Sequence, residues 1–391
     1  MNYILSDGPY RNTLLPITYT RPVAAIRIGI LTLNEKWAYF LDDTTSCLTA
    51  AYLQKKFPLQ QAKDSVVIHA AFLPNPPLAN AVKKLGKGEA LIHHKHGVIA
   101  YRVEGEDLAY NTERFKVVAF DTDCIVIKNT WDIFVHNAKA LQEDFDLLTH
   151  GRQSQTISST NTVIGKDVFL EEGASVEASI LNATTGPIYI GKNATILEGC
   201  MIRGGFALGE HALLKMGAKI YGASTFGPYC KVGGEVNNSV LFANSNKGHE
   251  GFLGNSVLGE WCNLGADTNI SNLKNNYAPV RLWDYQAERF SPTGLQFCGL
   301  IMGDHSKAGI NTMFNTGTVV GVSANIFGSG FPRNFIPSFS WGGASGFITY
   351  LTSKAFETAQ AMMARRQVDF DKVEEDMLLA VFEMTQKWRK G

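Results

Sequence analysis

Four groups of side chains in this sequence have the types and spacing for chemistry. The first surrounds His249, which follows Gly248, lies among Asn237, Asn238, Asn244, Asn246 and Lys247, and precedes Asn263, Asn272, Asn275 and Asn276. Imidazole changes protonation near working pH, so a histidine on a loop suits a general base; taken alone, it is as readily an ordinary surface residue. The second group is cationic. Arg11, Arg21, Arg27 and Lys36 follow a short apolar run, Tyr3 to Ser6, that ends in Asp7, Gly8 and Pro9. A strand running into a polar loop is where α/β folds hold phosphates, and four cations there would neutralise a triphosphate; the plainer alternative is solvated surface charge. Third, Asp121 and Asp123 stand two apart, so an extended strand would put both carboxylates on one side, where they could hold Mg2+, or simply end a solvated strand. Fourth, His93, His94 and His96 flank Lys95 at a spacing that fits no usual zinc site, between glycines that mark a loop, and are expected to be exposed.

The elements that position these residues are written in the sequence as a period of six. Ile190, Ile196, Ile202, Leu208, Leu214, Ile220, Phe226 and Val232 repeat in one slot. Ala194, Cys200, Phe206, Ala212, Ala218, Ser224, Cys230 and Val236 occupy the slot four later. Neither an amphipathic helix nor a free-standing strand keeps that period in phase. A hexapeptide solenoid does: each hexad is one short strand of a triangular parallel β-helix, and stacked coils bury aliphatic side chains that no single hexad could bury. Shorter runs at Ile164 to Val176, Leu258 to Ile270 and Met302 to Ile326 extend the repeat over roughly 160 to 330. Three interruptions, at 177 to 189, 238 to 257 and 271 to 299, are expected as surface loops, and the second carries His249. Residues 274 to 296 suggest an extended loop with exposed aromatics that reaches a neighbouring prism or, alternatively, a structural hairpin.

Composition supports a well-cored globular chain. Of 391 residues 45% are hydrophobic and 18% charged, and 36 basic residues balance 36 acidic ones, so neither nucleic acid nor an anionic membrane is implied as a partner. No apolar run reaches transmembrane length and Met1 to Gly8 lacks the build of a signal peptide, so a cytoplasmic location is expected. Six cysteines lack paired spacing, and Cys200, Cys230 and Cys262 fall in small slots of the repeat, as compact fillers. Residues 1–150 read as an α/β domain, 151–348 as the β-helix, and 349–391 as two C-terminal helices. Those helices cover about 352 to 366 and 369 to 387, with Thr352 or Ser353 and Asp369 as N-caps and Met362, Met363 and Met377 as core filler.

A family resemblance rests on these same residues. Arg11, the segment Leu14 to Thr18, and Arg21 with Pro22 resemble the N-terminal signature of sugar-1-phosphate nucleotidyltransferases. With a hexapeptide β-helix behind it, the chain resembles the bifunctional N-acetylglucosamine-1-phosphate uridylyltransferase/glucosamine-1-phosphate acetyltransferase family, in a variant with a shortened first domain. The departures are a loop with one glycine, followed by a proline that has no N–H to give, and Arg21 where the family has lysine. Gly248 with His249, then Phe252, then Asn263 to Thr268, then Asn272, Asn275, Asn276 and Tyr277 follow the order of the family's acetyltransferase site.

The resemblance implies a left-handed β-helix, a homotrimer, acetyl-CoA as cosubstrate, and UTP or dTTP with Mg2+ at Asp121 and Asp123. It implies that His249 deprotonates the amine of glucosamine-1-phosphate and that Asn272 steadies the oxyanion. Asn263, Phe252 and Asn275 would line the sugar site, with Lys215 and Lys247 at its phosphate and Arg11, Arg21 and Lys36 at the nucleotide. A nucleotidyltransferase with the β-helix as trimerisation scaffold is the alternative, and a non-enzymatic solenoid scaffold a third reading.

Overall fold

The computed structural model describes residues 1–389. Packing divides the chain into two compact units: Met1–Leu14, Thr20–Ile26 and Leu31–Asn129 form the first, and Leu15–Tyr19, Arg27–Ile30 and residues from Thr130 onward the second.

In the first unit the strands are β1 (Asn2–Ser6), β2 (Thr45–Leu48), β3 (Asp64–His69), β4 (Glu89–His93), β5 (Gly97–Glu104) and β6 (Lys116–Ala119). They form one mixed sheet in the order β2-β1-β3-β5-β4-β6, with β1 parallel to both neighbours and β5 antiparallel to both of its own. Ile4, Val67, Ala90, Tyr101 and Val103 build one apolar layer. Helix α1 (Leu33–Leu41) begins where Thr32 accepts from the Glu35 N–H while Glu35 returns to the Thr32 backbone, a capping box that satisfies two otherwise orphaned donors. It buries Trp37 completely, and the indole donates to the Phe72 carbonyl at 3.0 Å. Helix α2 (Pro76–Lys83) is capped by Asn75 and starts on proline, whose missing N–H costs nothing there.

The second unit is the solenoid. Its three sheets hold six, nine and ten strands, and every pair within the prism is parallel except a terminal hairpin, Ser340–Gly343 with Gly346–Thr349. The first face starts at Thr162–Ile164, the second at Val168–Leu170 and the third at Ser175–Val176. The repeat residues face inward: Ile190, Leu208 and Phe226 pair in register eighteen apart, as do Ile196, Leu214 and Val232. All lie in one continuous buried cluster. One corner adopts the left-handed conformation in every coil, at Asn193, His211, Tyr229, Asn244, Trp261, His305, Ser323 and Phe339. The thiols of Cys200, Cys230 and Cys262 are buried, as expected of fillers.

Two of the expected interruptions are not loops. Residues 238 to 257 contain the strands Val240–Leu241, Asn246–Lys247 and Phe252–Gly254, each paired into its face. The hexad frame fails there because the coils shorten: Val236 pairs with Ile220, sixteen residues back, and Lys247 with Val232, fifteen back. Residues 177 to 189 are likewise coil, with strands at Ile180–Asn182 and Ile188–Ile190. Only the third interruption is a true insertion, an antiparallel hairpin of Arg281–Asp284 with Arg289–Pro292. Its aromatics fold back on their own chain, Trp283 stacking on Phe335 at 4.2 Å and Tyr285 meeting Trp388 edge-on, so the structural alternative is the one observed. Tyr277, before the hairpin, stays exposed.

Helices cover parts of the prism. After the single turn α3 (Asp132–Val135), α4 (Asn137–Thr149) lays Leu141 and Phe145 on the outward residues Phe169, Tyr189 and Ala207 of the second face. By contact, therefore, the helix just before the expected boundary at residue 150 goes with the solenoid. Asn137, fully buried, accepts from the Gly29 N–H and donates to the Ala223 carbonyl, and Asp144 accepts from the Ile30 N–H. At the other end α5 (Thr352–Ala364) follows Leu351 without a side-chain cap, and α6 (Lys372–Met384) is capped by Asp371, not Asp369. Met363 and Met377 are buried between these elements.

Candidate functional sites

On the third face the strands expose one residue per coil in register: Lys231 pairs with Asn246, Asn246 with Asn263, and Asn263 with Lys307. This ladder floors a cleft of about 690 Å3, whose wall is Thr358, Ala361 and Met362 of α5 with Arg365 and Arg366 just past its end. Lys215, Gly248 and His249 sit on the corner at its edge. Among the described residues five cations line the cleft and no carboxylate does. Desolvation, then the charges of Arg366, Lys215 and Arg365, pull the Lys231 ammonium below the ordinary lysine value. Burial brings Lys307 down to about 8, with its Nζ donating to the His305 carbonyl at 2.9 Å. Crowded like charges of this kind favour a multiply charged anion between them. Arg366 is steadied by the Tyr229 carbonyl and the Asn246 side chain, at 3.0 and 3.1 Å.

Of the residues expected at an acyl-transfer site, His249, Asn263 and Lys215 come together in this cleft. His249 is exposed at its rim. Phe252, Asn272 and Asn275 do not line it. Asn272 donates to the Asn255 side chain at 2.8 Å, and its amide and the Phe252 ring close over Gly254, where an added Cβ would stand 2.5 and 2.6 Å from them. Asn275 lines a separate polar hollow with Ser271, Lys274, Asn276, Thr316 and Asn334. Lys247 overturns its expected place at a substrate phosphate: it occupies an inward slot between Val232 and the next coil, is 2% exposed, and donates to the Gly233 and His249 carbonyls. Lys231, Lys307, Arg365 and Arg366 were not anticipated. Met362, expected as core filler, also lines the cleft.

In the first unit the cations near β1 are drawn into the protein. Arg11 donates from Nη1 to Asp7 at 2.9 Å and from Nη2 to the Tyr52 hydroxyl at 2.7 Å, while Asp7 also accepts from the Thr49 hydroxyl and the Val23 N–H. Arg21 and Lys36 are buried, at 4% and 3% exposure. This corrects the picture of an open cationic loop: the segment is wound into successive short 3-10 turns from Gly8 to Ala25. Gly8 has φ +55°, and a Cβ there would meet the His69 ring at 3.0 Å, so its place at the ends of β1 and β3 needs glycine.

The remaining groups also differ from expectation. Strand β6 ends at Ala119, so Asp121 and Asp123 do not share a strand face, and Asp121 is engaged with His94 Nδ1 at 2.9 Å. Both aspartates are exposed. His93 is buried and stacked between His94 and His96, against the expected exposure. Although His93, His96 and Cys124 lie within 4.8 Å of one another, His93 Nδ1 accepts from the Lys95 N–H and His96 Nδ1 meets the Lys128 ammonium at 2.9 Å, an arrangement that repels a cation.

Parts of the chain are similar to known proteins. Residues 3–153 match the family described as "Sugar nucleotidyl transferase". The chain is 34% identical over 87 residues to a "Bifunctional protein GlmU" of Methanocaldococcus jannaschii, covering 22% of this chain and 21% of that protein. It is 28% identical over 221 residues to a "Bifunctional sugar-1-phosphate nucleotidylyltransferase/acetyltransferase" of Sulfurisphaera tokodaii, covering 56% of this chain and 49% of the other. The chain thus spans about half, or less, of the length of these relatives. Among solved structures, an Arabidopsis UDP-N-acetylglucosamine acyltransferase aligns over 60% of this chain and 99% of its own, at 12% identity and a TM-score of 0.30. Among the described residues no helix is long and apolar enough to cross a membrane. Residues 3–153 thus match the sugar nucleotidyl transferase family, and the chain is similar over part of its length to bifunctional sugar-1-phosphate nucleotidylyltransferase/acetyltransferase proteins.

Proposed function

We propose that this protein is a bifunctional transferase of sugar-nucleotide synthesis, acetylating glucosamine-1-phosphate from acetyl-CoA in the third-face cleft and transferring a nucleotidyl group from UTP or dTTP to a sugar-1-phosphate in the first unit. The observation that carries the first activity is an exposed imidazole at the rim of a cleft lined, among the described residues, by five cations and no carboxylate. Such a cleft suits a thioester carried on several phosphates. In the reaction His249 takes a proton from the sugar's amine as its nitrogen attacks the thioester carbonyl. The new N–C bond forms, the C–S bond breaks, and the proton passes to the departing thiolate. Asn263, on the floor of the same cleft, would hydrogen-bond the acceptor. The second activity rests on the family match of residues 3–153.

A homotrimer and a cytoplasmic location are part of the same reading. The second face is covered by α4 and the third by α5, whereas the first face leaves Ile180, Met201 and Tyr221 exposed beside the polar Asn182, Arg203 and Lys219, a mixed surface open to a neighbouring copy. The direct test is thiol release from acetyl-CoA with glucosamine-1-phosphate, and pyrophosphate release from UTP and dTTP, in the native protein and in His249→Ala. Acetyl transfer that survives His249→Ala sinks the first assignment; absence of pyrophosphate with every sugar-1-phosphate tried sinks the second.

A further inference from the structure

A lysine inside the prism has no structural reason to be there. Its inward neighbours on the third face, Leu214, Val232 and Leu264, are aliphatic, and a methionine or leucine in that slot would add to the buried cluster. Lys247 instead carries an ammonium into the wall of the coil. The Nζ atom ends 2.9 Å from the Gly233 carbonyl and 2.6 Å from the carbonyl of His249, joining two successive coils at the corner where the imidazole leaves the backbone. Beyond it, the Asp267 N–H donates to the Glu250 carbonyl at 3.0 Å and the Glu235 N–H to the Gly251 carbonyl at 3.3 Å, while Gly248 and Gly251 flank His249 and Glu250, and Gly251 has φ +112°. The coil itself is short here, so the corner cannot copy the regular turn of the coils before it.

We propose that Lys247 is a positioning residue for His249, fixing from inside the solenoid the backbone that aims the imidazole into the cleft. The inference rests on the acyl-transfer reading of His249. It explains why a charge sits in an inward slot, since a neutral aliphatic residue would fill the space but leave both carbonyls without this donor. A misplacement of the base by about an ångström costs on the order of a hundredfold in rate, so the expected loss is in turnover and not in substrate affinity.

Two measurements on the full-length protein decide it, comparing native, Lys247→Met and Lys247→Gln. In Lys247→Met, hydrogen exchange followed by mass spectrometry should be at least about tenfold faster in peptides spanning residues 248 to 252 and unchanged in coils distant from it. In acetyl transfer, kcat should fall about 10- to 100-fold with KM for acetyl-CoA within about twofold of native, and Lys247→Gln, which keeps an N–H donor, should recover part of the loss. Unchanged exchange overturns the proposal whatever the activity does. Faster exchange with native kcat also overturns it, making Lys247 structural only. If the native protein transfers no acetyl group to any amino sugar phosphate, the reading of His249 fails and this proposal with it, an outcome told apart from the others by the native control.

Discussion

Replacing Lys247 by methionine should leave the protein about as stable as before near neutrality and clearly less stable in alkali. Burial brings the Lys247 ammonium from the ordinary 10.5 to about 8, with Glu250 and Asp267 opposing the fall and Lys219 adding to it. A fall of about 2.5, at 1.36 kcal/mol each, means that holding the charged form inside the prism costs about 3 kcal/mol at pH 7. Between about pH 8 and 10.5 the unfolded chain holds this proton and the folded chain has released it. Raising the pH across that window therefore stabilises the native protein, and below pH 8 the penalty is constant. Methionine removes the penalty but also two hydrogen bonds, worth about 2 kcal/mol together. The variant should then be about 1 kcal/mol more stable than native at pH 7.5 and about 2 kcal/mol less stable at pH 10.5. Lys307, also near 8, contributes the same slope to both proteins and cancels in the difference.

Urea unfolding followed by tryptophan fluorescence, at pH steps from 7 to 11, measures this difference; five of the six tryptophans, all but Trp37, belong to the unit that contains the solenoid. A difference that stays flat with pH, or a variant already several kcal/mol weaker at pH 7.5, would refute the reasoning, because the ammonium would then be stabilising where it lies.

Other consequences follow from the same geometry. His249→Ala should abolish acetyl transfer while shifting stability by less than about 0.5 kcal/mol, since the side chain is exposed, and leave pyrophosphate release intact; kinetics and a thermal melt check both. Arg365→Ala and Arg366→Ala should each raise KM for acetyl-CoA about tenfold and flatten its dependence on salt, with the larger effect at Arg366, which also holds Asn246 and the Tyr229 carbonyl. Arg11→Ala should cost about 1–3 kcal/mol, because it leaves the buried Asp7 carboxylate without its cation; a neutral effect in urea unfolding would contradict the network described. Asn137→Ala should cost a similar amount by leaving the Gly29 N–H and the Ala223 carbonyl unpaired.

The solenoid was legible because each inward position makes the same demand at a fixed interval: Ile190, Leu208 and Phe226 must all be apolar, whatever else the chain does. So was the likeness of the first 150 residues to sugar nucleotidyl transferases, which match over residues 3–153. The cleft was not. Its floor brings together Lys231, Asn246, Asn263 and Lys307, whose spacings of 15, 17 and 44 follow from shortened coils and an inserted hairpin and obey no period. Its wall includes Arg365 and Arg366, more than a hundred residues beyond His249, just past the end of a helix whose docking only packing decides. The side to which a charge points was likewise hidden. Lys247 reads as a surface cation, and only the register of its strand turns it inward; Arg11, Arg21 and Lys36 read as an open phosphate loop, and only the winding of residues 8 to 25 and the packing of α1 draw them into the protein. A sequence fixes which residues repeat and which could react; which of them meet, and which face water, depends on coil lengths and on helices that arrive from far along the chain.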